Sequence, residues 1–198
     1  MLDLEKYQGI VFDMDGTLVD TMEGHLESWR LTCEAYGFPF DKAYLHGLGG
    51  VPSVRTVEML NELHGLSHDA EEVADHKYRT WRDMKPDPQL IPETVGVFRH
   101  YRTSKKIGVG TGAKRESAEI ILNAVGLIDQ LDALVTSSDV EQGKPHPDTF
   151  LKVAELMGVN PSDCVVFEDT EIGRQAAAAA GMDCFLFIDG EFRFYPFA

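Results

Sequence analysis

The chain predicts a doubly wound α/β fold interrupted by one helical insertion, and three features carry that prediction. Short apolar runs at 10–12, 107–109, 133–135, 164–167 and 185–188 do not alternate apolar with polar residues. Unbroken runs of this kind suit strands covered on both faces, as in a parallel sheet. From residue 107 onward the runs alternate with helix-like stretches at 114–125, 147–157 and 171–180, and strand–helix alternation implies right-handed crossovers. Between the first and second runs lies a long segment with a different, helical period.

The elements follow in order. The first strand, Ile10-Val11-Phe12, leads into the insertion. There Met22, Leu26, Trp29, Cys33 and Tyr36 recur every three or four residues, with Glu23, Glu27, Arg30 and Glu34 on the opposite side, the signature of an amphipathic helix. Val54, Val57, Leu60 and Leu63 repeat the pattern, as do Ala74, Tyr78, Trp81 and Met84. Pro86, Pro88 and Pro92 mark the return to the core, because proline interrupts helices and stiffens linkers. The division expected is a Rossmann-like core at 1–19 and 87–198 with a helical insert at 20–86. At the far end Asp189-Gly190 separates two aromatic runs. Asp-Gly is a hairpin signal, so an antiparallel edge strand is expected there, with an aromatic partner-binding tail as the other reading.

Composition bounds the function. The chain has 198 residues, 43% of them hydrophobic, which excludes disorder as its main state. No apolar run approaches the ~18 residues a membrane span requires, and the N-terminus lacks a signal-peptide pattern. A cytoplasmic protein without membrane contact is expected. Eighteen basic against 33 acidic residues give a formal charge of −15, which argues against nucleic acid. Cys33, Cys164 and Cys184 are odd in number, without C-x-x-C spacing, and read as buried thiols.

The segment Phe12-Asp13-Met14-Asp15-Gly16-Thr17 places two carboxylates where a buried strand ends. Carboxylates that become buried there require a metal ion or a proton; the alternative is a solvated turn. Three other segments fall at or beyond strand ends: Val109-Gly110-Thr111-Gly112, Gly143-Lys144-Pro145 and Phe167-Glu168-Asp169. The first offers a hydroxyl and free N–H groups to an anion. In open parallel sheets, ligands bind at the carboxyl ends of the strands.

Asp13-x-Asp15-Gly16-Thr17, Thr111, Lys144-Pro145 and Glu168-Asp169 together resemble the four motifs of the haloacid dehalogenase superfamily. The insert is similar to that superfamily's four-helix cap class. The chain resembles the β-phosphoglucomutase-like group, and its fructose-1-phosphate phosphatase-like members in particular. The resemblance implies Asp13 as nucleophile, Asp15 as general acid and base, and Lys144 as the balancing cation. It implies Mg2+ on Asp13, the Asp15 carbonyl and Asp169, with Glu168 close or through water. Thr111 and the Gly112 N–H would hold phosphoryl oxygens. His25 on the first insert helix would line the closed site or act structurally, and Trp29 is expected in the insert's core. His64 and His68, with Gly65 between them, are not expected to bind metal.

The expected activity is therefore Mg2+-dependent hydrolysis of a small phosphorylated sugar by a monomer, through an aspartyl-phosphate. The rival is a sugar-phosphate mutase, which needs a cap cation for a second phosphate. The mutases carry arginine directly after a Gly-x-Ser segment. Here Gly50-Val51-Pro52-Ser53-Val54-Arg55 puts serine there and Arg55 two residues later, which favours the phosphatase while leaving Arg55 a candidate phosphate ligand. Gly108-x-Gly110-x-x-Ala113 also fits a dinucleotide fingerprint, but that reading leaves both acidic pairs and Lys144 without a purpose.

Overall fold

A computed structural model describes residues 2–85 and 87–197. Pro86, read as part of the proline-marked return, lies outside the described residues. The core is a six-stranded sheet in the order β5-β4-β1-β6-β7-β8. Its strands are β1 (Gly9–Phe12), β4 (Lys106–Gly110), β5 (Ala133–Val135), β6 (Cys164–Glu168), β7 (Asp183–Ile188) and β8 (Glu191–Tyr195). All pairings are parallel except β7–β8. β1 is central, with Phe12 in register between Val109 of β4 and Phe167 of β6. Chain order reverses across β1, and the loops after β1, β4 and β6 diverge into one crevice, the usual ligand position in such sheets.

Helices α5 (Pro92–Tyr101), α6 (Arg115–Ala124), α7 (Asp148–Met157) and α8 (Glu171–Ala179) supply the crossovers. Two apolar clusters on the sheet explain the unbroken runs: Ile10, Phe12 and Phe167 belong to one, Val11, Val166 and Cys184 to the other. Successive strand residues face opposite layers, and both layers are buried.

The expected hairpin forms. Asp189 and Gly190 both take positive φ, 52° and 80°, as a two-residue primed turn requires. Phe187 faces Phe192 and Phe185 faces Phe194 across the strands, with ring centroids 5.1 and 5.0 Å apart.

Between β2 (Val19–Asp20) and β3 (Gln89–Leu90) run four helices: α1 (Met22–Tyr36), α2 (Lys42–Gly47), α3 (Ser53–His64) and α4 (Ala70–Asp83). They enclose their own cluster of Leu26, Trp29, Cys33, Phe38, Leu45, Val57, Leu60 and Val73. β2 and β3 pair antiparallel, Val19 with Leu90 and Asp20 with Gln89, so the chain leaves and re-enters the core through one two-stranded stem. Pro92 opens a helix, α5, at the position where its missing N–H costs nothing. The three cysteines are buried and free. Among the described residues no helix is long and apolar enough to cross a membrane.

Candidate active site

Asp13 directly follows β1 and is 3% exposed; its N–H donates to the Phe167 carbonyl at 2.9 Å. The chain then turns tightly. Gly16 N–H donates to the Val19 carbonyl, and the Leu18 and Val19 N–H groups both reach the Met14 carbonyl. Gly16 has φ 86°, and a Cβ there would run into the Asp169 carboxylate, so both conformation and space require glycine.

Lys144 reaches Asp13 from the loop after β5. Its Nζ lies 2.6 Å from Asp13 Oδ1 and 2.7 Å from Glu168 Oε1, with its side chain fully buried. The other Glu168 oxygen, Oε2, accepts from the N–H groups of Asp169 and Thr170 and from the Thr170 hydroxyl, at 3.0, 2.9 and 2.9 Å. Thr170 in turn caps α8, accepting from the Gly173 N–H. Both Glu168 oxygens therefore have protein partners. Among the described residues the Asp169 carboxylate accepts only from Thr17 Oγ1, at 3.3 Å.

Oxygens of Asp13, Glu168 and Asp169 lie within 4.8 Å of one another. Burial pushes the Asp13 carboxyl up to about 7 against the pull of Lys144. Burial and the neighbouring Glu168 also raise Asp169 well above its ordinary value. One ammonium thus faces two buried carboxylates and a partly buried third. This donor set fits a hard divalent cation, which takes oxygen ligands and supplies the missing positive charge.

Asp15 is held differently. Its Oδ1 accepts from Thr21 Oγ1 at 2.5 Å and from His25 Nε2 at 3.1 Å, and its Oδ2 lies 3.5 Å from Thr111 Oγ1. Burial opposes ionisation, but His25, Thr21 and the Lys77 charge outweigh it and hold the carboxyl below its usual range. Lys77, on α4, contacts His25 Nδ1 at 2.9 Å. An ammonium can only donate, so Nδ1 carries the lone pair and Nε2 the proton given to Asp15. Burial and the Lys77 charge both lower His25, in keeping with a neutral ring. Burial also lowers Lys77 to about 8.

Asp13, Asp15, His25, Trp29, Ser53, Lys77, Thr111 and Gly112 line one cavity of about 80 Å³ between core and insert. The turn before α3 borders it. A Cβ on Gly112 would meet the Gly50 carbonyl, and one on Gly143 would meet Pro52 Cγ at 2.5 Å. Lys114, just before α6, adds an ion pair to Asp75 of α4 at 2.6 Å.

Of the residues singled out in the sequence, Asp13, Asp15, Lys144, Glu168, Asp169, Thr111, Gly112 and His25 converge here. Arg55 does not. It sits in the first turn of α3, pointing outward, paired to Glu58 at 2.8 Å and Glu62 at 3.7 Å on the same helix face. Trp29 packs in the insert's cluster as expected and also borders the cavity. His68 packs edge-on to Tyr36 and Phe38. Lys77 and Thr21 were missed. Lys77 falls in the series Val73, Lys77, Trp81, spaced by four with both neighbours buried, and that inward-facing spacing was the available signal.

A parallel α/β sheet with carboxylates, a buried lysine and a threonine at its strand ends defines a hydrolase of the haloacid dehalogenase type. The chain belongs to the haloacid dehalogenase-like hydrolases, whose family model matches residues 7–181, and it is a phosphatase of that family. It is 40% identical over 179 residues to "Fructose-1-phosphate phosphatase YqaB" of Escherichia coli, covering 90% of this chain and 95% of that protein. It is 29% identical over 182 residues to "Beta-phosphoglucomutase" of Bacillus subtilis, covering 88% and 80%. Its fold matches the crystal structure of a hydrolase from Pseudomonas syringae with a TM-score of 0.85 at 24% identity, covering 94% of this chain and 87% of that one.

Proposed function

We propose that the protein is a Mg2+-dependent phosphohydrolase for a small sugar monophosphate, acting through a phosphorylated Asp13. The observation that carries this reading is the division of labour between two nearby carboxylates. Asp13 shares buried Lys144 with Glu168, whereas Asp15 is held by Thr21 and the Lys77–His25 pair, and both face one cavity.

In the first step an Asp13 carboxylate oxygen bonds to phosphorus as the bond from phosphorus to the sugar oxygen breaks, and Asp15 gives that oxygen a proton. In the second step a water oxygen bonds to phosphorus, the Asp13–phosphorus bond breaks, and Asp15 takes the water's proton. The free enzyme holds Asp15 ionised, which suits the second step. The negative phosphoryl group entering beside it raises its proton affinity for the first. Thr111 Oγ1 and the Gly112 N–H hold phosphoryl oxygens, and Lys144 balances the charge on Asp13. Mg2+ held by Asp13, the Asp15 carbonyl and Asp169 would neutralise the carboxylates and phosphoryl oxygens, letting like charges approach. Glu168, bonded to Lys144 and the α8 turn, orients those groups and would lie close to the metal or reach it through water.

The insert at 20–86 acts as a cap on the core at 1–19 and 87–198. The cavity of about 80 Å³ lies between residues of the cap and residues of the core. Opening of the cap would therefore admit a sugar phosphate, and closure would exclude bulk water. The same cavity favours a phosphatase over a mutase. Among the described residues lining it, Lys77 is the one cap lysine or arginine, and it is committed to His25. Ser53 lines it, and Arg55 faces away.

The test is a sugar-phosphate panel that includes fructose 1-phosphate, with and without Mg2+, measuring phosphate release. Metal-dependent release is expected. Isomerisation of β-glucose 1-phosphate without net phosphate release would overturn the reading.

A further inference from the structure

Helix α4 meets the imidazole of His25 twice. Lys77 meets its edge. One turn further on, Trp81 lies flat against its face, with ring centroids 5.3 Å apart and planes inclined by 15°. Trp81 is 1% exposed and stacks on Tyr78 as well, at 6.4 Å and 21°. Although it is carried by the insert, it is part of the core's apolar cluster with Met14, Leu18, Val19 and Val95. Among the described residues its indole Nε1 is buried without a hydrogen-bond partner. A Cβ on Gly24, the residue before His25, would lie 3.6 Å from that nitrogen, so the ring packs against bare helix surface. Packing alone positions the indole, since a buried unpaired N–H is itself a cost.

The hydrogen bonds to His25 leave one freedom open. Both act in the ring plane, Nε2 toward Asp15 and Nδ1 toward Lys77. They fix the line through the two nitrogens, but the ring can still tilt about that line. A flat partner on the face removes the tilt, and an aromatic ring does so better than a branched aliphatic side chain.

We propose that Trp81 is a positioning residue: seated in the core's apolar cluster, its indole fixes the plane of His25 and so keeps Nε2–H aimed at Asp15 when the insert is docked. The proposal rests on the reading of Asp15 as the group that moves the proton. It makes alignment of the proton-transfer line depend on the seating of α4 against the core, because Trp81 belongs to both.

The test uses Trp81→Phe, Trp81→Leu, His25→Asn and the double variant Trp81→Leu/His25→Asn, with fructose 1-phosphate turnover and thermal denaturation measured for each. Phenylalanine keeps a flat face and should stay within about twofold of the parent. Leucine keeps the burial but not the plane. It should lower kcat about tenfold with KM nearly unchanged, the scale of a modest misplacement of a reacting group. In the His25→Asn background the leucine change should cost nothing more, because the ring it orients is gone. A readout independent of turnover is the NMR signal of His25 Hε1 in metal-free protein. It should be shifted upfield by the indole ring current in the parent and move downfield in Trp81→Leu. Losses that multiply in the double variant, or an Hε1 signal unchanged in Trp81→Leu, would overturn the proposal. If His25→Asn left turnover intact, the reading of the acid–base line would fail, while the Hε1 shift would still decide whether Trp81 orients the ring.

Discussion

Replacing Lys144 by methionine tests the electrostatics of the site most sharply, because it removes a charge while keeping side-chain length. The lysine nitrogen is 2.6 Å from Asp13 and 2.7 Å from Glu168, with no solvent on the side chain. Breaking a buried pair by deleting one partner costs about 3–5 kcal/mol, because the remaining charge stays desolvated. For a chain of this size each kcal/mol moves Tm by about 2–4 °C, so a fall of ~6–20 °C is expected in metal-free protein. The pH dependence has a definite sign. Burial already raises Asp13 in the folded state, and Lys144 is the group pulling it back. Without the lysine Asp13 binds its proton more tightly, so the variant's deficit should be large at about pH 8 and shrink toward about pH 5. Scanning calorimetry of parent and variant at the two pH values measures this. A Tm within about 2 °C of the parent at about pH 8, or a deficit that grows on acidification, would refute the reasoning.

Other expectations follow from the same geometry. Asp13 is raised to about 7 when folded, above its unfolded value of 3.8, and Asp169 is raised as well. Metal-free protein should therefore lose stability as pH rises across that window, and added Mg2+ should raise Tm more at about pH 8 than at about pH 5 by calorimetry. Gly173→Ala should destabilise by about 1–3 kcal/mol in urea denaturation and lower turnover as well, because a Cβ there overlaps the Glu168 carboxylate that holds Lys144. Arg55→Ala should leave kcat/KM within about twofold and stability within about 1 kcal/mol, as for an exposed ion pair.

The residues most legible in the sequence are those whose position is set by a strand end. Asp13 and Asp15 follow an unbroken apolar run and precede a turn glycine, while Thr111 and the Glu168-Asp169 pair close two further strands, so topology alone brings them together. Lys144 was legible from its fixed loop within the motif set. Lys77 was not, because a lysine on an amphipathic helix ordinarily belongs to the solvated face, and only the burial of Val73 and Trp81 around it reveals the inward side. Arg55 erred in the other direction. Counting residues from Gly50 placed it near the site, but the rotation of α3 turns it toward Glu58 and Glu62. Helix α2 has six residues, too few to display a period, and β2 and β3 have two each. Helix α5 was hidden behind Pro92, which was read as a linker proline but opens the helix.

The central claim is that Asp13 becomes phosphorylated during turnover. Acid quenching in the steady state with Mg2+ and fructose 1-phosphate, followed by peptide mass spectrometry, tests it directly. The account predicts a phosphoryl group on the peptide carrying Asp13, present only during turnover, and its loss together with phosphate release in Asp13→Asn. Sustained phosphate release by Asp13→Asn, or turnover in which the phosphoryl group is found on a residue other than Asp13, would contradict it.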